Sequence, residues 1–173
     1  MFWKNPDDDR DALRRFLLPD FSKYFWMRLG CLALVTILVV RFLVTPAFTD
    51  GASMVPTYRE RQFLPIWRGA FWFQKPQLGD VVVVRYIGQR VMFLKRVVAL
   101  EGQTVEFRQG RLFVDGVESD HPWNALTPCD WELPPRVVPK GELYLVGDNR
   151  SMPMEEHIFG HVSARRIAGA PLW

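Results

Sequence analysis

The sequence predicts a mostly β protein: an antiparallel β domain preceded by one N-terminal transmembrane helix. Three observations lead there. A single long apolar run, beginning at Leu29, lies in the first third of the chain. Beyond it the apolarity breaks into short runs of Val, Phe and Tyr punctuated by Gly, Pro and Asp, which is how strands joined by turns read. With 49% hydrophobic and 14% aromatic residues, the 173-residue chain holds enough apolar side chain for one ordinary core, which excludes a disordered chain.

Residues 1–22 are polar and mixed in charge, with Asp7-Asp8-Asp9 followed by Arg10, Arg14 and Arg15, and are expected to form a cytoplasmic tail. From Leu29 to Val40 there are twelve residues without a charge, and Phe42 to Phe48 lengthens the apolar stretch. The total, about twenty residues, crosses a bilayer core of about 30 Å, so the span is expected over 23–48. Arg41 is the one interruption and can snorkel to the headgroups. Tyr24, Phe25 and Trp26 suit an interfacial aromatic belt. Thr45-Pro46-Ala47-Phe48 offers no small-x-small cleavage site, which points to a retained anchor rather than a removed leader. Five Lys or Arg precede the uncharged run that begins at Leu29 within twenty residues (Arg10, Arg14, Arg15, Lys23, Arg28) and three follow the span (Arg59, Arg61, Arg68). That bias keeps the tail inside and puts residues 49–173 on the outer face of the cell membrane.

Strands are expected near 62–67, 81–87, 91–99, 103–108, 111–114, 142–147 and 162–168. Gln109-Gly110 supplies a tight hairpin turn between Val105-Glu106-Phe107 and Leu112-Phe113-Val114. Asp115 to Gly141 carries Pro122, Pro128, Pro134, Pro135 and Pro139, too many for regular pairing, and reads as a long surface connection. The aromatic segment from Phe63 to Phe73 reads as strand and core, with dipping into the lipid interface as the other reading. Cys31 lies inside the apolar run, so it and Cys129 are expected to be free thiols. The formal charge of +3 comes from 22 basic and 19 acidic residues spread along the chain, without the basic block of a nucleic-acid arm, so nucleic acid is not an expected partner.

Three stretches carry chemistry. Gly51-Ala52-Ser53-Met54-Val55-Pro56-Thr57 follows the span and holds a serine at headgroup height, although by itself it equally reads as an extended edge segment. Lys95 is set in the apolar strand Val91-Met92-Phe93-Leu94-Lys95-Arg96-Val97-Val98, where alternation puts it on the face of Phe93 and Val97. If that face is buried, desolvation lowers the pKa of the amine towards that of a general base. If it is the solvated side of an edge strand, Lys95 is an ordinary surface lysine. Arg96 points the other way and needs a carboxylate if it is buried. Gly147-Asp148-Asn149-Arg150-Ser151 reads by itself as a turn. His157, His161 and Glu156 do not form a convincing metal site, because Gly160 interrupts any helix that would present them together.

Together, and in this order after an anchor, these stretches resemble the type I signal peptidases, the membrane-anchored Ser/Lys proteases that remove signal peptides. The resemblance extends through Leu78-Gly79-Asp80-Val81-Val82-Val83, through Ala99-Leu100-Glu101-Gly102 after the lysine strand, and through Phe159-Gly160-His161-Val162. It implies an antiparallel β domain of the signal-peptidase type resting on the membrane surface, with Ser53 as nucleophile and Lys95 as general base. It implies an oxyanion hole from the backbone of Ser53 and Gly51, and a supporting ion pair between Arg96 and Asp148. Met54, Phe93 and Leu94 would line pockets for small residues before the cut. The implied partners are exported preproteins and membrane lipid, and the chemistry uses no cofactor and no metal.

The chain departs from the family close to the chemistry. Where the family has a serine that hydrogen-bonds the lysine, then Asp and Arg, this chain has Pro153, Glu155 and His157. Ser151 is placed to substitute from a shifted turn, and Glu155 with His157 to replace the acid/base pair. The expected function is therefore removal of N-terminal signal peptides. The alternatives are a maturation peptidase for a single pilin or surface protein, and a β scaffold impaired at Pro153.

Overall fold

The computed structural model describes residues 22–85, 92–157 and 160–173. The chain divides after Phe42 into two units. The first holds α1 (Lys23–Leu43), whose 21 residues make about 31 Å of helix. It is long and apolar enough to cross a membrane. Ser22 caps its start, accepting from the Phe25 N–H through both its Oγ and its carbonyl. Thr36 hides its hydroxyl by donating to the Leu32 carbonyl at 2.9 Å. Arg41 stands in the last turn, where a cation complements the helix C-terminus. The helix stops short of the expected Phe48, since Thr45 precedes Pro46 and is driven out of the helical region, so Val44–Thr45 becomes a strand. Of the expected tail, residues 1–21 lie outside the described residues.

The second unit is antiparallel throughout. Its strands are β1 (Val44–Thr45), β2 (Ile66–Trp67), β3 (Val81–Arg85), β4 (Met92–Ala99), β5 (Thr104–Arg108), β6 (Arg111–Val114), β7 (Val117–Glu118), β8 (Leu133–Val137), β9 (Glu142–Val146), β10 (Gly160–Ser163) and β11 (Ile167–Pro171). One sheet has the order β1-β2-β11-β3-β4-β9-β10 and the other β7-β6-β5-β8. β10 and β11 lie four strand positions apart, about 19 Å in a flat sheet. Yet only Ala164–Arg166 joins them, a bridge that spans at most about 14 Å. The larger sheet is therefore curled, and Val162 and Ile167 pack on one inner cluster with Val82, Val84, Val97 and Leu145. Val83 faces the other way, against Ile66 and Ala168. Burial on both faces is why β3 reads as an unbroken valine run. A third cluster, with Val98, Phe107, Trp131 and Tyr144 among its members, brings β4 and β9 of the larger sheet together with β5.

Most expected strands form, with instructive differences. Of the strands expected at 81–87 and 91–99, residues 86, 87 and 91 lie outside the described residues. The expected strand at 62–67 reduces to a bridge from Phe63 to Phe48 and the two residues of β2. In the aromatic segment Leu64 and Ile66 are buried, but Trp72 and Phe73 are exposed, so core is the correct reading for its first half only. The expected strand at 162–168 is split, because its halves pair with strands at different places in the curled sheet. Gln109 (φ 49°) and Gly110 (φ 74°) make the expected two-residue hairpin turn, and Asp115-Gly116 (φ 54° and 78°) repeats it between β6 and β7.

The largest correction concerns Asp115 to Gly141, which contains β7, a short 3-10 helix (Pro122–Ala125) and β8. β8 tolerates its prolines because it is an edge strand. Arg136 pairs with Val105 and Leu133 with Phe107, so Pro134 and Pro135 together oppose Glu106 in a bulge, where no ladder bond is asked of them. Just before β8, Trp131 is 2% exposed, packs on Phe107 and donates from Nε1 to the Met152 carbonyl at 2.9 Å. Trp131→Ala is expected to destabilise the β unit by about 3–5 kcal/mol, and Trp131→Phe by much less, in chemical denaturation followed by circular dichroism.

Candidate active site

β4 is an inner strand between β3 and β9, and Lys95 in its middle, paired with Val82, is 4% exposed. The edge-strand reading of this lysine is thereby removed. Burial strips water from the ammonium and pushes its pKa down to about 8, against a smaller opposing pull from Asp148. Asp148 makes its hydrogen bonds elsewhere, so its pull on Lys95 is the smaller effect. Arg96 Nε donates to its Oδ1 at 2.7 Å, Arg96 Nη2 to its Oδ2 at 2.5 Å, and Thr57 Oγ1 also donates to Oδ2 at 2.5 Å. Among the described residues no side chain hydrogen-bonds Lys95.

Arg96, on the opposite face of β4, has its carboxylate as expected. It also donates from Nη1 to the Gly79 carbonyl at 2.8 Å, and its guanidinium lies 5.3 Å from the Trp123 ring centre. This is a two-pronged pair between a strand and the turn after β9, with Asp148 fully buried. The turn is in turn braced by the segment before β8. Thr127 Oγ1 donates to the Asp148 carbonyl at 3.2 Å and accepts from the Arg150 N–H at 2.6 Å. Arg150, 1% exposed, donates from Nε to the Gly147 carbonyl, and burial lowers its pKa to about 10.

The serine loop docks on this turn. The Ser53 carbonyl accepts from the Asn149 N–H at 3.0 Å, and the Ala52 carbonyl from Asn149 Nδ2 at 3.1 Å. One step beyond the Arg96–Val146 pair, Gly147 lies across from Lys95. A methyl group there would overlap both the Ser53 carbonyl and the His157 ring, so only glycine lets the loop lie this close. Ser53 Oγ and Lys95 Nζ share no direct hydrogen bond, a contact that in free enzymes often tightens only with substrate bound. Ser53 and Gly51 line a cavity of about 210 Å³ with Met54, Phe93, Leu94 and Tyr58. Tyr58 had no place in the sequence reading. Its phenol is pushed above the usual value by burial, against a smaller opposing pull from Arg96 and with a still smaller push from Asp148.

The three departures are placed as follows. Pro153 is exposed, and Ser151 is also exposed, donating to Asn149 Oδ1 at 2.6 Å, so it does not turn inward to Lys95. Glu155 is exposed in the short 3-10 helix Met154–Glu156 and forms no ion pair with His157. His157 instead is buried edge-on against Trp131, its ring centre 4.9 Å away. Burial first, then Lys95 and Arg150, hold its pKa down to about 4, so it is neutral at ordinary pH. Sequence reasoning missed Asn149, Thr57, Trp123 and Thr127. A signal existed only for Asn149 and Thr57, which sit inside the quoted motifs.

A family model described as "Signal peptidase, peptidase S26" matches residues 23–172. A probable signal peptidase I-1 of Synechocystis sp. is 34% identical over 152 residues, covering 82% of this chain and 76% of the relative. Thylakoidal processing peptidase 1, chloroplastic, of Arabidopsis thaliana is 30% identical over 146 residues, covering 78% of this chain and 43% of the relative. Signal peptidase I of Bacillus licheniformis is 26% identical over 159 residues, covering 86% of each.

Removing one partner of the Arg96–Asp148 pair leaves a buried charge uncompensated. Asp148→Ala is therefore expected to cost about 3–5 kcal/mol in denaturant titration, and an Arg96→Met/Asp148→Leu double variant to recover most of it.

Proposed function

We infer the function from one premise: this chain belongs to the signal peptidase family, peptidase S26. It is a serine endopeptidase that removes signal peptides from preproteins, and it is membrane-anchored, with α1 as the helix able to span. The observation that carries the assignment of roles is the buried amine of Lys95, while the carboxylate that acts on it, Asp148, is hydrogen-bonded to Arg96 and Thr57. An amine in that position is held partly neutral near physiological pH, the state a general base needs.

In this reading Lys95 Nζ takes the proton of Ser53 Oγ as the oxygen attacks the scissile carbonyl carbon. The oxyanion formed is met by the backbone N–H groups of Ser53 and Gly51. Collapse breaks the peptide bond, and the leaving amine receives the proton from Lys95. Water, deprotonated by the same amine, then hydrolyses the acyl-enzyme and frees Ser53. Met54, Phe93 and Leu94 form the walls for small residues before the cut, which the volume of the cavity supports. Arg96 and Asp148 hold the two halves of the site together, and Glu155, exposed and without an ion pair among the described residues, is given no role in it. Neither alternative is favoured: the Synechocystis and Bacillus licheniformis relatives are signal peptidases I rather than single-substrate maturation enzymes, and burial depresses the Lys95 amine without any hydroxyl from position 153, which speaks against the impaired scaffold.

The tail lies in the cytoplasm and the β unit on the outer face in this proposal, as the Lys/Arg bias requires. Lipid contact is supported by Phe48, Phe63 and Trp173, exposed aromatic residues with ring centres 5.4 Å and 6.4 Å apart, the first of them also lining the cavity. Such a rim suits an enzyme whose substrates are themselves membrane-held.

Purified protein in detergent is expected to cut a preprotein carrying Ala-x-Ala before the junction. Ser53→Ala and Lys95→Ala should each lower kcat at least roughly 10⁴-fold. Because the neutral amine is the active form, kcat/KM should rise with pH to a plateau above about 8. Below that it should fall roughly tenfold per pH unit. Full cleavage by either variant, or a rate independent of pH from 6 to 9, overturns the assignment.

A further inference from the structure

We propose that Asn149 is a positioning residue for the nucleophile, holding the peptide plane whose N–H is the oxyanion donor. The inference rests on the reading of Ser53 as nucleophile. Asn149 reaches the serine loop with two donors at once: its side-chain Nδ2 on the Ala52 carbonyl at 3.1 Å and its own N–H on the Ser53 carbonyl at 3.0 Å. The Ala52 carbonyl and the Ser53 N–H belong to one rigid trans peptide and point in opposite directions. The carbonyl is held jointly by Asn149 Nδ2 and by the Val55 N–H, each at 3.1 Å, and holding it there aims the N–H the other way. The second bond fixes the carbonyl on the far side of Ser53, so the serine is held from both flanks and its Cα–Cβ direction is set.

The orientation of the amide follows from chemistry. A carbonyl only accepts, so the NH₂ end of Asn149 must face Ala52, which leaves Oδ1 to accept from Ser151 Oγ at 2.6 Å. Its neighbours in the turn serve elsewhere: Asp148 holds Arg96 and Thr57, and Arg150 holds the Gly147 carbonyl. Asn149 makes no hydrogen bond to the Lys95 side chain, and the Asp148 carboxylate is held by Arg96 and Thr57 rather than by Asn149. Its loss should thus disturb the aim of Ser53 and leave deprotonation by Lys95 alone.

The test uses the full chain in detergent with the Ala-x-Ala preprotein, comparing wild type, Ser53→Ala, Asn149→Ala and Asn149→Asp. Asn149→Ala is expected to lower kcat roughly 10- to 100-fold with KM within about twofold. The midpoint of its pH profile should stay at the wild-type value near 8. Asn149→Asp keeps the shape of the side chain and its acceptor for Ser151 but has no donor for Ala52, so it should lose at least as much. If only packing mattered, Asn149→Asp would cut at nearly the wild-type rate, and that result overturns the proposal. So does an Asn149→Ala protein whose loss lies in KM or whose pH midpoint moves. Should Asn149→Ala fail to fold, the isosteric Asp variant decides. A Ser53→Ala protein with wild-type cleavage would instead overturn the nucleophile reading itself, whereas an inactive Ser53→Ala beside an undisturbed Asn149→Asp overturns this inference alone.

Discussion

The Arg96–Asp148 pair is the constraint on which the rest of the site depends. It joins β4, which carries the lysine, to the turn after β9, on which the serine loop sits. Its geometry has three consequences. Two parallel charge-assisted bonds fix both distance and orientation between strand and turn, as a single bond would not. The remaining guanidinium nitrogen donates to the Gly79 carbonyl, and the carboxylate accepts from the Thr57 hydroxyl, so the turn before β3 and the serine loop are tied to the same pair. Finally, a carboxylate committed in this way gives little to Lys95, and desolvation decides the protonation of that amine.

Alternation along β4 makes this economy possible. Neighbouring cations on a strand face opposite sides of the sheet, so Arg96 is neutralised by a partner while Lys95 is buried with no side-chain hydrogen bond among the described residues. The departures from the family pattern fall in the same frame. Pro153 and Ser151 face solvent, and His157 fills the space beside Gly147 as a neutral ring packed on Trp131. A neutral ring adds no fixed charge next to the amine and is compatible with a lysine depressed by burial alone.

The segment between β7 and β9 shows what proline content conceals. Five prolines pointed to a connection without regular pairing, yet the segment holds β8, braces the turn after β9 through Thr127, covers Arg96 with Trp123, and sets Trp131 in the core. Proline forbids a donor at one position and says nothing of the side chains that flank it. Pro134 and Pro135 show the same limit from the other direction, since a bulge on an edge strand accommodates both.

By itself the sequence determined that an apolar helix of spanning length precedes a domain of short strands, because helix and strand periodicity and turn chemistry are local properties. The Gln109-Gly110 hairpin and the three motifs were legible for that reason, and Asp115-Gly116 would have been under the same rule. Only the tertiary structure decided that Lys95 is buried, since strand alternation assigns two faces without saying which one meets solvent; the place of β4 between β3 and β9 settles it. It alone brought Asn149 onto the carbonyls of Ala52 and Ser53 and left Glu155 exposed while burying His157. Long-range contacts of this kind depend on how the larger sheet curls, and curvature is set by the packing of residues distant in the chain.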